Sequence, residues 1–243
     1  MRKRFARLTL AVSMAVCLSA AASAAPDDLQ TGTPCMTTDP NIDEVFVYTG
    51  ASFTGTCAKL LAGFYPNSGT GTGGFGLPND AISSIKVGST VRARLFTDGV
   101  YGGNYFWFGG GTWANMPSGW NHVTSSIRIE VNSRSTTCND LGPDEYALFR
   151  DANYSGDCVV LHYSHGSYPQ PIYMGIANDA VSSVMGGPAS TCADGSAASV
   201  GLYWNGGFGR PVFNVASGTS VSFLSSFNDG TSSLATFCGG VGP

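Results

Sequence analysis

Residues 79–84 read Asn79-Asp80-Ala81-Ile82-Ser83-Ser84. The same polar hexamer returns as Asn121-His122-Val123-Thr124-Ser125-Ser126, Asn178-Asp179-Ala180-Val181-Ser182-Ser183 and Asn228-Asp229-Gly230-Thr231-Ser232-Ser233. Asn, Asp and Ser offer hard oxygen atoms, the donor set that Ca²⁺ takes. The same residue types also bond back to nearby backbone in turns. An apolar residue follows each hexamer (Ile85, Ile127, Val184, Leu234) and opens a strand. A turn-then-strand signature alone therefore explains the repetition, and cation binding is the reading that adds chemistry to it.

The elements that must position these hexamers repeat too. Upstream of each stands an aromatic, four residues, an aromatic, one residue and then Gly: Tyr48, Phe53, Gly55; Phe96, Tyr101, Gly103; Phe149, Tyr154, Gly156. The fourth copy, Tyr203 and Phe208, carries Arg210 where Gly is expected, which leaves the shape of that hairpin open. The glycine suits a folded hairpin that needs positive φ. From second aromatic to hexamer the spacing runs 26, 20, 24 and 20 residues. Long and short units alternate, so units 1 and 2 pair, and so do units 3 and 4. Each unit is too short to bury its own core. Short β-rich runs such as 44–48, 91–96, 125–131 and 158–163 are separated by Gly, Asn, Pro and Ser. No segment after residue 25 sustains helical periodicity. The expectation is all-β, with two sandwiches of paired Greek keys over 35–131 and 144–238, joined by a polar linker at 132–143.

The first 25 residues read as a secretory signal. Arg2, Lys3, Arg4 and Arg7 precede an apolar run, and small residues end it near Ala24 or Ala25. That run is too short to span a membrane and no second one follows. Without it, 8 Lys+Arg stand against 16 Asp+Glu, a net charge of −8. No basic stripe exists to track phosphates, which argues against nucleic-acid partners. Six cysteines remain after Cys17 leaves with the leader, an even count that reads as disulfides in an exported protein. Fifteen pairings exist in principle. The similar separations of Cys35 from Cys57 and of Cys138 from Cys158, each around a similar strand pattern, favour those two pairs and leave Cys192 with Cys238.

Four aromatic-hairpin and hexamer pairs in register, over about residues 41–238, resemble the βγ-crystallin Greek-key unit. The exported, disulfide-bearing form is similar to microbial two-domain members, among them the Streptomyces metalloproteinase inhibitor and killer-toxin-like proteins. The resemblance implies that each hexamer is half of a Ca²⁺ site, completed by the partner unit's hairpin. Residue by residue, Asn79, Asp80 and Ser83 would join the Asp98 hairpin. Asn121, His122 and Ser125 would join the Gly50 hairpin. Asn178, Asp179 and Ser182 would join the Asn205 hairpin, and Asn228, Asp229 and Ser232 the Asp151 hairpin. The first and last groups hold two carboxylates each, the third holds one, and the His122 group holds none. Affinity rises with ligand charge, so two sites should bind, one should be weak and one empty. Such sparse charge points to about 10⁻⁴ to 10⁻³ M.

Other features carry less. The run 71–76 fits G-x-G-x-x-G but lacks the strand before it and the helix after it that a nucleotide site needs. The loop 66–78 around it reads as a flexible connection, or as a presented contact loop. His162 and His165, three apart on a strand, make a poor zinc pair. Trp107, Phe108, Trp113 and Trp120 read as core and hairpin packing, with an exposed sugar-binding platform as the alternative. No catalytic constellation stands out, so an enzyme is not expected. The leading expectation is a secreted protein stabilised by Ca²⁺. An inhibitor of a secreted protease and a toxin or cell-wall glycan-binding module are the competing roles.

Overall fold

The computed structural model describes residues 29–132, 135–165, 167–188, 191–192 and 195–238. The leader expected over 1–25 lies outside the described residues. The chain is all-β, in four successive units of four strands. Unit 1 holds β2 (Val45–Gly50), β3 (Thr54–Leu60), β4 (Gly63–Tyr65) and β5 (Ser84–Val87), preceded by the short β1 (Thr33–Pro34). Unit 2 holds β6 (Val91–Phe96), β7 (Tyr105–Phe108), β8 (Gly111–Trp113) and β9 (Ser126–Val131). Unit 3 holds β10 (Glu145–Asp151), β11 (Ser155–His162), β12 (Ser167–Tyr168) and β13 (Ser183–Gly186). Unit 4 holds β14 (Ala198–Asn205), β15 (Gly209–Ala216), β16 (Ser220–Val221) and β17 (Ser233–Cys238).

Paired units exchange their third strands. The sheets run β1-β3-β2-β5-β8 and β4-β9-β6-β7 in the first half, and β11-β10-β13-β16 and β12-β17-β14-β15 in the second. All ladders between these strands are antiparallel. The exchange answers the sequence problem that one unit cannot close its own core. β4 and β8 each cover the partner's sheet. Inward residues alternate along the strands, as in Val45 and Val47, Ala93 and Leu95, and Ile127 and Ile129. Leu148, Val159, Leu161, Val184, Val200, Leu202 and Leu234 do the same in the second sandwich. Alternation with period two is what a half-buried strand requires.

The three disulfides are Cys35–Cys57, Cys138–Cys158 and Cys192–Cys238, with Cα separations of 5.5, 6.1 and 5.8 Å. These are the pairs that spacing favours, and the separations suit the bond. Such bonds persist in oxidising, extracellular-type compartments. Among the described residues no helix is long and apolar enough to cross a membrane.

Two local expectations are corrected. A one-turn helix, α1 (Pro171–Met174), stands where no helix is expected; Pro171 at its first position and a left-handed Gly175 at its end bound it. The glycine-rich loop 66–78 is packed rather than free. Phe75 and Leu77 are buried, and the loop closes on itself through Gly69 N–H to Leu77 O and Phe75 N–H to Asn67 O. Within the polar stretch after β9, Cys138 is buried and Arg92 donates to Ser135 O at 3.0 Å.

The outer face of sheet β4-β9-β6-β7 is covered by the second sandwich. Arg94 and Arg128 are fully buried there. Both pair with Asp157 and donate to Cys158 O, and Arg128 also donates to Gly175 O. Arg128 and Arg92 hold Glu130 at 2.7 and 2.9 Å. Trp107 stacks under Arg94 at 3.5 Å. Burial alone pushes the Glu130 carboxyl up, but the guanidiniums of Arg128, Arg94 and Arg92 outweigh it and hold the group below the ordinary carboxylate range. Phe64, Phe96 and Tyr101 of the first sandwich join the apolar core of the second.

Candidate metal centres

Each hairpin is built the same way. Its two aromatics meet edge to face at 5.7, 5.6, 5.7 and 5.6 Å in units 1 to 4. The second aromatic has positive φ in every copy (Phe53, Tyr101, Tyr154, Phe208), a conformation that L-residues rarely hold. What holds it is the sixth residue of the same unit's hexamer. Ser84, Ser126, Ser183 and Ser233 donate to the carbonyls of Gly50, Asp98, Asp151 and Asn205 at 2.6–2.7 Å. They accept from the amides of Phe53, Tyr101, Tyr154 and Phe208 at 2.9–3.0 Å. A hydroxyl is both donor and acceptor, and all four serines are fully buried. The sequence reading gave this position no role, although its invariance across the four hexamers was the available signal.

The glycine after the hairpin serves as expected in three copies: Gly55, Gly103 and Gly156 have φ of +77°, +72° and +75°. A second reason is steric. A Cβ on Gly103 or Gly156 would stand 2.9 or 2.7 Å from the carboxylate carbon of Asp98 or Asp151. Arg210 does not distort the fourth hairpin. Tyr203 pairs with Val212 and Asn205 with Gly209, the register of Tyr48 with Cys57 and Gly50 with Thr54.

The second hexamer residue has positive φ in all four copies, at 54° (Asp80), 58° (His122), 50° (Asp179) and 53° (Asp229). Asn, Asp and His tolerate that conformation best. Its amide bonds the fourth-residue carbonyl of the partner hexamer: Asp80 to Thr124, His122 to Ile82, Asp179 to Thr231, Asp229 to Val181, at 3.0–3.3 Å. The two hexamers of a sandwich thus lie side by side, each completing the other.

The side chains follow. Ser125 Oγ donates to Asp80 Oδ1 at 3.2 Å, Ser182 to Asp229 at 3.1 Å and Ser232 to Asp179 at 2.7 Å. In the remaining pair Ser83 Oγ and His122 Nε2 share a hydrogen bond of 2.5 Å. The first-position amides of Asn79, Asn178 and Asn228 each donate to the neighbouring Asp Oδ2 at 2.8 Å.

This geometry regroups the residues expected from sequence. The acid crosses to the partner unit, but the serine does not: the amides of Ser83, Ser125, Ser182 and Ser232 bond Tyr48 O, Phe96 O, Phe149 O and Tyr203 O of their own units. Four clusters result. Cluster I has the Gly50 hairpin, Ser83 and His122. Cluster II has the Asp98 hairpin, Ser125 and Asp80. Cluster III has the Asp151 hairpin, Ser182 and Asp229. Cluster IV has the Asn205 hairpin, Ser232 and Asp179. The pairing of second-position residue with hairpin is unchanged, and the serines swap. The cause is register: the serine sits one residue before its own strand, so its backbone is fixed to its own sheet. Asn121 is exposed beside His122.

The donor chemistry fits Ca²⁺ in clusters II, III and IV. Exposed carboxylates, serine hydroxyls and hairpin carbonyls are hard oxygens at loop positions that backbone bonds hold in place. Cluster I offers an imidazole nitrogen instead. Among the described residues no group of three His, Cys, Asp or Glu could hold a metal, so any cation depends on serine and backbone oxygens. His162 lies 3.7 Å from Asp144 and 3.9 Å from Glu145. Of the aromatic run, Phe108 is buried, Trp113 and Trp120 pack on the first core and Trp107 lies under Arg94, while Phe106 is 37% exposed and stacks on Trp120.

Exchanged Greek keys, four serine-clipped hairpins and reciprocal Asn-Asp-x-x-Ser-Ser loops define a class of paired-loop β-sandwich. No family model and no curated protein matches the chain. Solved structures of βγ-crystallin type are similar to it. Protein S complexed with calcium is 24% identical over 79% of this chain and 98% of its own, with a TM-score of 0.32. Spherulin 3a from Physarum polycephalum is 24% identical over 44% and 100%, at 0.35. A βγ-crystallin domain from Flavobacterium johnsoniae is 26% identical over 37% and 98%, at 0.33. At TM-scores below 0.5 these likenesses add nothing to what the strand exchange and the clipped hairpins already define.

Proposed function

We propose that this protein is a secreted Ca²⁺-binding protein of βγ-crystallin type, in which the cation stabilises the folded loops. The observation that carries the reading is the carboxylate-to-serine contact between exchanged hexamers, made three times with one geometry. A divalent cation held there would replace the serine proton as the carboxylate's partner and tie two units together. Asp80, Asp179 and Asp229 supply the charge, Ser125, Ser232 and Ser182 the hydroxyls, and the hairpins their carbonyls. Clusters II and III, with Asp98 and Asp151 on the hairpin, bind more tightly than IV, and cluster I stays empty.

A ligand that binds the native state alone raises its stability by mass action. The melting midpoint is expected to rise in excess Ca²⁺ relative to EDTA, and Mg²⁺, which sheds water reluctantly, should do less. An unchanged midpoint in millimolar Ca²⁺ would remove the metal from the function.

A further inference from the structure

The two clusters with most carboxylate, II and III, belong to the two hairpins that meet across the interface between the sandwiches. Arg150, next to Asp151 of cluster III, donates from Nη1 to Gly103 O at 2.8 Å. Gly103 is the residue over which the Asp98 side chain of cluster II lies. Tyr101, at the tip of the same hairpin, donates its phenolic hydrogen to Ile172 O at 3.3 Å.

A second route runs through the buried charges. Ser125 of cluster II directly precedes the clip Ser126, which opens β9, and Arg128 follows two residues on. Arg128 grips Asp157 at 2.9 Å. Asp157 directly follows Gly156, the glycine that makes room for the Asp151 side chain. The links are backbone, a buried ion pair, hydrogen bonds and close glycine–aspartate packing, the kind of contiguous packed network that carries coupling. Among the described residues, the hairpins of clusters I and IV make no hydrogen bond across the interface.

We infer that clusters II and III are energetically coupled, so that Ca²⁺ at either raises the affinity of the other, with Arg150 as the positioning residue between them. The inference rests on the Ca²⁺ reading above. The physical cause is shared ordering. A cation that fixes the Asp151 hairpin fixes Arg150, which holds the Gly103 carbonyl, so the second cation meets a hairpin already in place. Coupling of this kind is reciprocal by linkage.

The test is a Ca²⁺ titration of the full chain, followed through backbone amide resonances at Ser182 and Gly156 for cluster III. It is run on the wild type, Asp80→Asn, Arg150→Ala, Arg150→Lys and the double variant Asp80→Asn/Arg150→Ala. Asp80→Asn is expected to weaken cluster III about fivefold or more, within the usual range for coupled sites. Arg150→Ala should abolish that dependence, and Arg150→Lys should restore it in part. Cluster III binding that is normal and indifferent to Asp80→Asn would overturn the coupling while leaving Ca²⁺ binding standing. No response at Ser182 or Gly156 in the wild type would overturn the coupling, and no response at any of clusters II, III and IV would remove the Ca²⁺ reading with it.

Discussion

The two sandwiches carry the same loop pair, and among the side chains that make the cross-loop contacts they differ at one, His122 against Asp229. In the second, Asp179 meets Ser232 and Asp229 meets Ser182, so the exchange is symmetric. In the first, Asp80 meets Ser125, but Ser83 meets His122. The backbone does not register the change: His122 has φ of 58° against 50–54° for the three aspartates, and its amide makes the same cross-loop bond. Two layers of function are therefore separable in one hexamer. The sixth serine and the left-handed second residue build the turn in all four copies. The second side chain is, on the proposed reading, what decides which copies offer a carboxylate to a cation.

That separation predicts effects of different sizes. The largest concerns occupied clusters. At a free Ca²⁺ concentration of 100 Kd, one site adds about 2.7 kcal/mol. Asp229→His, which copies the first sandwich into the second, should lose about that much in saturating Ca²⁺ and far less in EDTA. Denaturant unfolding in both buffers reads the difference; an equal loss in both would mean that Asp229 serves the turn and not the metal.

The clip serines come next. Ser84→Ala and Ser183→Ala each leave a hairpin amide and carbonyl without their partner, at a cost of about 2 kcal/mol. The cost should be the same in the two sandwiches and the same with or without Ca²⁺. Unequal losses would show that the turn-building layer is not shared.

The smallest effect lies on the strand faces. The outer positions of β6 and β9 are Arg92, Arg94, Arg128 and Glu130; their counterparts on β14 and β17 are Ser199, Gly201, Ala235 and Phe237. Only the first set lies under the other sandwich in a buried ion network. Glu130, held below the ordinary carboxylate range in the fold, contributes stability that is present above the unfolded value of about 4.3 and is lost as pH falls below it. Glu130→Gln should flatten the acid side of the stability profile beneath about pH 4.3. A profile of unchanged slope would mean that the network does not depend on that charge.

Much of this was legible in the sequence, and the limits have physical causes. Hairpins, hexamers, unit pairing and disulfides are local patterns or spacings, so one chain displays them. Which serine faces which aspartate depends on strand exchange, where a shift of one residue changes sides, and spacing does not report it. The arginines show a different limit. "VRARLF" and "SIRIEV" alternate charge with apolar residues, the signature of a strand with one wet face. Period two says which residues share a face but not what covers it, and here a second sandwich does. The packed loop 66–78 hid for a related reason: Phe75 and Leu77 are buried among glycines that look unstructured in sequence, and backbone hydrogen bonds that spacing does not report close the loop.

The most direct measurement is the number of Ca²⁺ ions bound per chain at millimolar free Ca²⁺, by equilibrium dialysis, for the wild type and His122→Asp. The geometry predicts three in the wild type and four in the variant, because the variant gives cluster I the carboxylate it lacks on a backbone already in place. A wild type that already binds four, or a variant that gains none, would contradict the claim that this one side chain selects the cation sites.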